Sequence, residues 1–182
     1  NQANAMAALA LGLAIGLPLA PMLRAIRDFD ANEHRCESVA TVGGVHFVND
    51  SKGTNVGATV AALEAMPTGS VLIAGGVGKG QDFDPLARAL ARRSGQAVLI
   101  GQDAQAIAAA LAELSVPFEC CADFRGAVLR AAELASPDKT VLLSPACASF
   151  DMFKSYADRG QTFRRLVRDL ALEAGQPMEL AC

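Results

Sequence analysis

Short apolar runs alternate with helical patterns along most of this chain, and this alternation restricts its fold more than any other feature. From residue 38 onward, each short apolar run is followed after a turn by a further run or by an alanine- or leucine-rich stretch. The pattern predicts a Rossmann-like, doubly wound α/β fold, in which helices cover both faces of a mostly parallel sheet. We predict strands at 38–42, 45–48, 71–74, 98–100, 118–121 and 140–144, and helices at 55–65, 85–93, 104–114, 125–135 and about 160–174.

The beginning of the chain has a different pattern. Residues 4–17 and 21–28 have helical spacing and are separated by Pro18. Only Gly43 and Gly44 separate the first two predicted strands, which favours an antiparallel hairpin. We therefore predict a helical segment at 1–31, a polar linker and candidate hinge at 32–35, and an α/β domain at 36–182.

The composition argues against several classes of protein. A net charge of −3 without a dense basic run argues against binding to nucleic acid. The longest apolar stretch, 5–20, is interrupted by glycine and proline and is too short to cross a bilayer well, so we expect no membrane insertion. Five cysteines without C-x-x-C spacing argue against a disulfide scaffold and a zinc site, and they favour the reducing cytoplasm.

Three predicted strands end in segments rich in polar residues and glycine. These segments are 49–55, 75–82 and 144–149, whereas 101–103, after another strand, reads as an ordinary turn. In sheets of this kind, ligands bind beyond the carboxyl ends of the strands. We therefore expect the three segments to form one binding crevice.

The glycine-rich segment 75–80 is not a phosphate loop of the NTPase type. Ile73 stands where that motif requires its first glycine, and Gly80 replaces the Ser or Thr that should follow the lysine. Lys79 could still bind a carboxylate or a phosphate. A glycine-rich turn with an exposed lysine is an equally good interpretation of the spacing alone.

The segment 49–55 is more specific, because Asp50, Lys52 and Thr54 bring an acceptor, a cation and a hydroxyl to the start of a helix. Capping of that helix would not require Asp50 or Lys52. Ser149 could hold an anion or cap the next segment. A nucleophilic role for Cys147 lacks a histidine at a suitable spacing.

Five sequence motifs, in this order, resemble the Mur ligase family. They are NQAN, HRCE, NDSKGTNVGAT, GGVGKGQDF and LLSPACASFDMFKSYADRGQTF. The resemblance implies an ATP- and Mg²⁺-dependent ligase that joins an amino acid to a nucleotide-linked muramoyl substrate through an acyl phosphate. It also implies that 1–31 are the last helices of a central ATPase domain, and that 36–182 are the C-terminal domain. The missing N-terminal and central domains would supply the ATPase loop and the metal ligands, and we expect no metal ligands in this chain.

The resemblance also implies roles for individual residues on the nucleotide side. Asn1 and Asn4 would lie near the adenine nucleotide, Arg35 would reach its phosphates, and Asp50 would hold its ribose. Lys52 would be the catalytic lysine beside the reacting groups. Gly53 stands where many members of the family have alanine.

The motifs are most similar to those of members that add D-glutamate to UDP-N-acetylmuramoyl-L-alanine. In that case the glutamate pocket would be formed by Thr54, Lys79, Ser149, the backbone at Phe150, and Tyr156. Two alternatives remain open at this point. One is a related ligase that adds another amino acid, L-glutamate included, as a folylpolyglutamate synthetase would. The other is a nucleotide-binding α/β module without catalytic activity.

The purified 182-residue chain is expected to show no ligase turnover, because it lacks a phosphate-binding loop of the NTPase type. The measurement is phosphate release from ATP in the presence of both acceptor substrates. Turnover by this chain alone would contradict the prediction.

Overall fold

The sequence pattern is realised as one six-stranded sheet in the order β1-β2-β6-β3-β4-β5. The computed structural model describes residues 2–28, 32–135 and 137–175. The strands are β1 (Glu37–Val42), β2 (Val45–Asn49), β3 (Val71–Gly75), β4 (Gln96–Ile100), β5 (Phe118–Cys120) and β6 (Thr140–Leu143). The helices are α1 (Gln2–Ala14), α2 (Leu19–Arg27), α3 (Val56–Ala65), α4 (Asp84–Arg92), α5 (Ala104–Glu113), α6 (Phe124–Leu134) and α7 (Tyr156–Glu173).

Only the first strand pair is antiparallel. β1 pairs with β2 through a hairpin, and every other pairing in the sheet is parallel. Gly43 and Gly44 make the turn with φ of 59° and 79°, a left-handed conformation that glycine adopts without steric cost. The predicted fold class, including the hairpin, is confirmed.

The sheet is covered by helices on both faces because its central strands are apolar on both sides. In β3, Leu72 and Ala74 pack into a core with α3, α4 and α5, whereas Val71 and Ile73 pack into a second core with α6 and α7. All five residues of β3 are buried, as expected for a central parallel strand.

The predicted boundaries differ from the observed ones mainly at the last helix. That helix was predicted to begin near residue 160, but α7 begins at Tyr156. The Ser155 side chain accepts a hydrogen bond from the Asp158 N–H at 3.1 Å and so caps the helix four residues earlier. The earlier start brings Tyr156 and Arg159 into the first turn of the helix.

The chain divides into two compact units, Asn1–Asn32 and Glu33–Cys182. The first unit contains α1 and α2, and α2 has no buried residue. Apolar side chains there remain exposed, such as Leu11 at 71% and Ile15 at 77%. The second unit contains the whole sheet. No helix among the described residues is both long and apolar enough to span a bilayer.

Candidate functional site

The three polar strand ends lie next to one another at the carboxyl edge of the sheet. β6 pairs with β2 on one side and with β3 on the other, so the segment after β6 lies between the other two. We call 50–55 the first loop, 75–83 the glycine loop, and 144–155 the third loop. The sequence predicted these loops, but the order of their strands is a property of the folded sheet.

Backbone hydrogen bonds join the third loop to both of its neighbours. The donor–acceptor pairs are Ala146 N–H to Gly53 C=O at 2.9 Å, Gly75 N–H to Pro145 C=O at 2.8 Å, and a reciprocal pair between Val77 and Ala148 at 2.9 and 3.0 Å. Because these bonds use main-chain groups, they fix the course of all three loops. The three loops are therefore held side by side, and we call their joint surface the crevice wall.

The Asp50 carboxylate is held inside this wall. It accepts hydrogen bonds from the Ser144 hydroxyl at 2.6 Å and from the Cys36 N–H at 3.2 Å, and the residue is only 7% exposed. Burial raises the pKa of the Asp50 carboxyl above its ordinary value, and the hydrogen bond from Ser144 opposes that shift. Asp50 is thus a buried carboxyl group at the edge of the crevice.

Gly53 makes room for this arrangement. A Cβ atom at position 53 would overlap both the Asp50 carboxylate and the Ser144 hydroxyl. An alanine here would therefore have to displace one of the two groups. Glycine at position 53 thus leaves the space in which the hydrogen bond between Asp50 and Ser144 is formed in this protein.

A buried arginine connects the first loop with the third loop and α7. The Arg159 side chain is fully buried and donates to the Ser51 hydroxyl at 3.0 Å, to the Ser51 carbonyl at 2.9 Å, and to the Cys147 carbonyl at 3.2 Å. Burial lowers the pKa of the Arg159 guanidinium to about 10, so it stays charged at neutral pH. Among the described residues, no carboxylate lies within ion-pair distance of it.

The sequence did not single out Arg159. It lies on a helix that begins earlier than predicted, and its partners are backbone and hydroxyl oxygens that no spacing rule connects to it. The sequence feature that could have indicated it is its place in the motif SYADRGQTF, three residues after Tyr156.

His34 is buried rather than part of a solvated linker. Its ring nitrogen Nδ1 lies 2.9 Å from the Asn49 amide nitrogen, and its carbonyl accepts the Lys52 N–H at 3.0 Å. Gly160 passes so close to the ring that a Cβ there would overlap it. Within the predicted polar linker, His34 is therefore a buried side chain, whereas Arg35 is exposed and its charge lowers the pKa of Asp50.

Lys52 and Tyr156 form a cation–π pair. The Lys52 ammonium nitrogen lies 3.8 Å from the centroid of the Tyr156 ring, and the Tyr156 carbonyl accepts the Ser51 hydroxyl at 2.7 Å. The ring also meets His34 edge to face, with centroids 6.3 Å apart. The lysine at the centre of the first loop is therefore oriented by the start of α7.

The turn after β4 also supports the site, which corrects the prediction of an ordinary turn at 101–103. The Asp103 carboxylate accepts the Gly78 N–H at 2.5 Å, and the Asp103 N–H donates to the Gly76 carbonyl at 3.0 Å. These bonds fix the backbone just before Lys79, whose φ is +55°. Asp151 in turn accepts the Gln102 N–H at 2.9 Å.

Cys147 is not placed as a nucleophile. Its side chain is fully buried, and burial raises the pKa of its thiol to about 12. The thiolate form that a nucleophilic cysteine needs is therefore disfavoured. What Cys147 contributes is its carbonyl, which accepts hydrogen bonds from Arg159.

Comparison with known proteins identifies the family. Residues 34–147 match the family described as Mur ligase, glutamate ligase domain. The chain belongs to the Mur ligase family. UDP-N-acetylmuramoylalanine–D-glutamate ligases of Burkholderia mallei strain SAVP1 and Burkholderia pseudomallei strain 668 are each 55% identical to it over 175 residues. The match covers 96% of this chain but only 35% of each relative.

Solved structures of Mur ligases share the fold. The UDP-N-acetylmuramate–alanine ligase of Thermotoga maritima superposes with a TM-score of 0.59 at 16% identity, covering 91% of this chain and 37% of that one. The murein peptide ligase of Psychrobacter arcticus gives a TM-score of 0.59 at 12% identity, covering 98% and 37%. At these identities the likeness concerns the fold alone.

The structure places the predicted Mur ligase site residues as follows. Asp50 and Ser149 are buried, Lys52, Thr54 and Tyr156 are partly exposed, and Arg35, Lys79 and Phe150 are exposed. All of these belong to the second unit. Asn4 lies exposed on α1 in the first unit, and Asn1 lies outside the described residues. The roles assigned to these residues stay predictions.

Asp50→Asn is expected to leave the protein as stable as the parent, or more stable, at pH 7.5. The folded-state pKa of Asp50 is raised, so burying its charge costs stability at every pH above that pKa. As pH falls through the folded pKa towards the ordinary value of 3.8, the parent takes up the proton and regains this stability. The difference in Tm between variant and parent should therefore shrink over that range.

The measurement is thermal unfolding of both proteins as the pH is lowered from 8 to 4, towards the ordinary carboxyl value. Asp138→Asn, at an exposed carboxyl on the turn before β6, is the matched control and should show no such pattern. A large loss of Tm in Asp50→Asn at pH 7.5 would contradict the prediction.

Proposed function

We propose that this chain is the C-terminal part of an ATP-dependent ligase that adds D-glutamate to UDP-N-acetylmuramoyl-L-alanine in the synthesis of peptidoglycan precursors. The observation that carries the proposal is the joining of three loops, rich in charged and hydroxyl groups, into one crevice wall. The 55% identity to D-glutamate ligases supports the choice of amino acid. Because the chain spans 35% of the length of those relatives, the activity is proposed for the longer protein, which we place in the cytoplasm.

The glutamate side of the crevice fits a substrate with two carboxylates. Lys79 offers an exposed ammonium group on the glycine loop, Ser149 a hydroxyl on the third loop, and Thr54 a hydroxyl beside the start of α3. Groups on separate loops can hold the two carboxylates apart and leave the amine free. The amine then attacks the carbonyl carbon of the acyl phosphate, phosphate leaves, and the amine loses a proton as the amide bond forms.

The nucleotide side fits a ribose and phosphates. A carboxylate has about four acceptor positions, and within the protein Asp50 bonds to Ser144 and to Cys36, so an acceptor position is left for a ribose hydroxyl. Arg35 is exposed directly after the buried His34, so its guanidinium is free to meet phosphate oxygens. Asn1 and Asn4 would contact the adenine part.

In the sequence, Lys52 lies between Asp50 on the nucleotide side and Thr54 on the glutamate side. We propose it as the catalytic lysine. Its ammonium group, oriented over the Tyr156 ring, would stabilise the negative charge that develops during acyl transfer. Mg²⁺, which we propose the rest of the longer protein holds, would neutralise charge on the phosphates of ATP.

The test of the function is an assay of the full-length gene product with ATP, UDP-N-acetylmuramoyl-L-alanine and each glutamate enantiomer. We expect amide formation with D-glutamate and little with L-glutamate. Turnover with L-glutamate or with another amino acid instead would favour a related ligase. Nucleotide binding without turnover on any amino acid would favour a non-catalytic module.

Lys79→Ala in the full-length protein is expected to raise the KM for D-glutamate by about 10–100-fold. A hydrogen bond to a charged group is worth about 1.5–3 kcal/mol, and each 1.4 kcal/mol is roughly a factor of ten. Steady-state kinetics with varied D-glutamate measures the change.

The matched control is Lys139→Ala, which removes an exposed lysine just before β6, at the opposite edge of the sheet. This variant should keep the parental KM for D-glutamate. Equal KM values for D-glutamate in Lys79→Ala and the parent would remove Lys79 from the substrate site.

A further inference from the structure

One side chain on the glycine loop bridges the start of α3 and the third loop. Gln81 lies on the glycine loop, and its amide oxygen accepts the Val56 N–H at 3.0 Å. Its amide nitrogen donates to the Ala146 carbonyl at 2.6 Å. A single planar amide therefore connects the glycine loop to the start of α3, directly after the first loop, and to the third loop.

Each of these connections lies close in sequence to a group proposed to bind glutamate. Gln81 follows Lys79 by two residues, Val56 follows Thr54 by two, and Ala146 precedes Ser149 by three. We propose that Gln81 is a positioning residue that holds the glutamate-binding groups of the three loops in register. The inference rests on the proposed function, since it specifies how that site is held together.

Capping of α3 does not account for this arrangement. Asn55 already caps the helix, because its side chain accepts the Ala58 N–H at 2.9 Å. A cap also needs only an acceptor, whereas Gln81 uses its donor as well, to a carbonyl on a different loop. Glutamine can accept and donate through one rigid group, which is what bridging an N–H and a carbonyl requires.

The nucleotide side is held by different groups. Asp50 is fixed by Ser144 and by the Cys36 N–H, and the Ser144 hydroxyl also lies 3.0 Å from that of Thr59. Gln81 takes no part in these bonds. The geometry therefore separates the crevice into two halves, one positioned by Gln81 and the other by Ser144.

The test is a pair of variants in the full-length protein, Gln81→Met and Ser144→Ala, with the KM for D-glutamate and for ATP measured in each. Methionine keeps the length of the side chain but loses both hydrogen bonds. We expect Gln81→Met to raise the KM for D-glutamate about tenfold, as loss of two neutral hydrogen bonds allows, and to leave the KM for ATP within about twofold. Ser144→Ala should raise the KM for ATP and leave the KM for D-glutamate within about twofold.

The controls separate positioning from general destabilisation. Gln105→Met makes the same substitution at an exposed glutamine on α5 and should change neither KM. If Gln81→Met does not fold, Gln81→Asn replaces it. Asparagine keeps an uncharged amide, but its shorter side chain cannot reach both Val56 and Ala146. The same selective rise in the KM for D-glutamate is expected.

Two results would overturn the inference, and they have different meanings. If the parent adds D-glutamate but Gln81→Met raises both KM values equally, or neither, Gln81 has only a structural role and the proposed function stands. If the parent does not use D-glutamate at all, the proposed function fails and this inference fails with it.

Discussion

The insertion of β6 between β2 and β3 is the constraint on which the rest of this structure depends. β6 is the last strand in the chain, yet it pairs in parallel with β2 and β3, which lie far earlier in the sequence. Asn49 pairs with Leu143, and so does Ile73. Its four residues are buried on both faces of the sheet. Closing pairings across such long stretches of chain costs entropy, which the two cores on either side of the sheet offset.

This insertion also explains why the crevice is made of main-chain contacts. The segment leaving β6 emerges between two other loops, so its N–H and C=O groups find partners on both sides. Side-chain hydrogen bonds add further connections between these segments. Arg159 bonds to Ser51 and Cys147, Asp103 bonds to Gly78, and Gln81 bonds to Val56 and Ala146. A wall held in this way needs little reorganisation when a ligand arrives.

Two buried charged groups are held by hydrogen bonds in the wall. Arg159 is fully buried and, among the described residues, bonds to neutral oxygen atoms, whereas Asp50 is buried with a raised pKa. Burying charge in this manner is unfavourable unless hydrogen bonds compensate for lost water.

Local pattern was sufficient to predict much of this protein. The alternating runs predicted the strands and helices, Gly43-Gly44 predicted the hairpin, and the residues at 49–55, 75–82 and 144–149 predicted the polar loops that the structure places side by side. Each of these inferences depends on residues close together in the chain. The turn at 101–103 was misjudged and the burial of His34 was not predicted, because Asp103 and His34 bond to partners 15 or more residues away.

By itself, then, the sequence determined the α/β class, the family motifs and the chemical character of the crevice, since periodicity and residue type act over a few neighbouring positions. Only the tertiary structure decided which strands are neighbours, which polar groups are buried, and how Arg159, Asp103 and Gln81 connect the loops. Those outcomes depend on hydrogen bonds between residues as far apart as Ser51 and Arg159. The geometry of these hydrogen bonds depends on the position of β6 between β2 and β3.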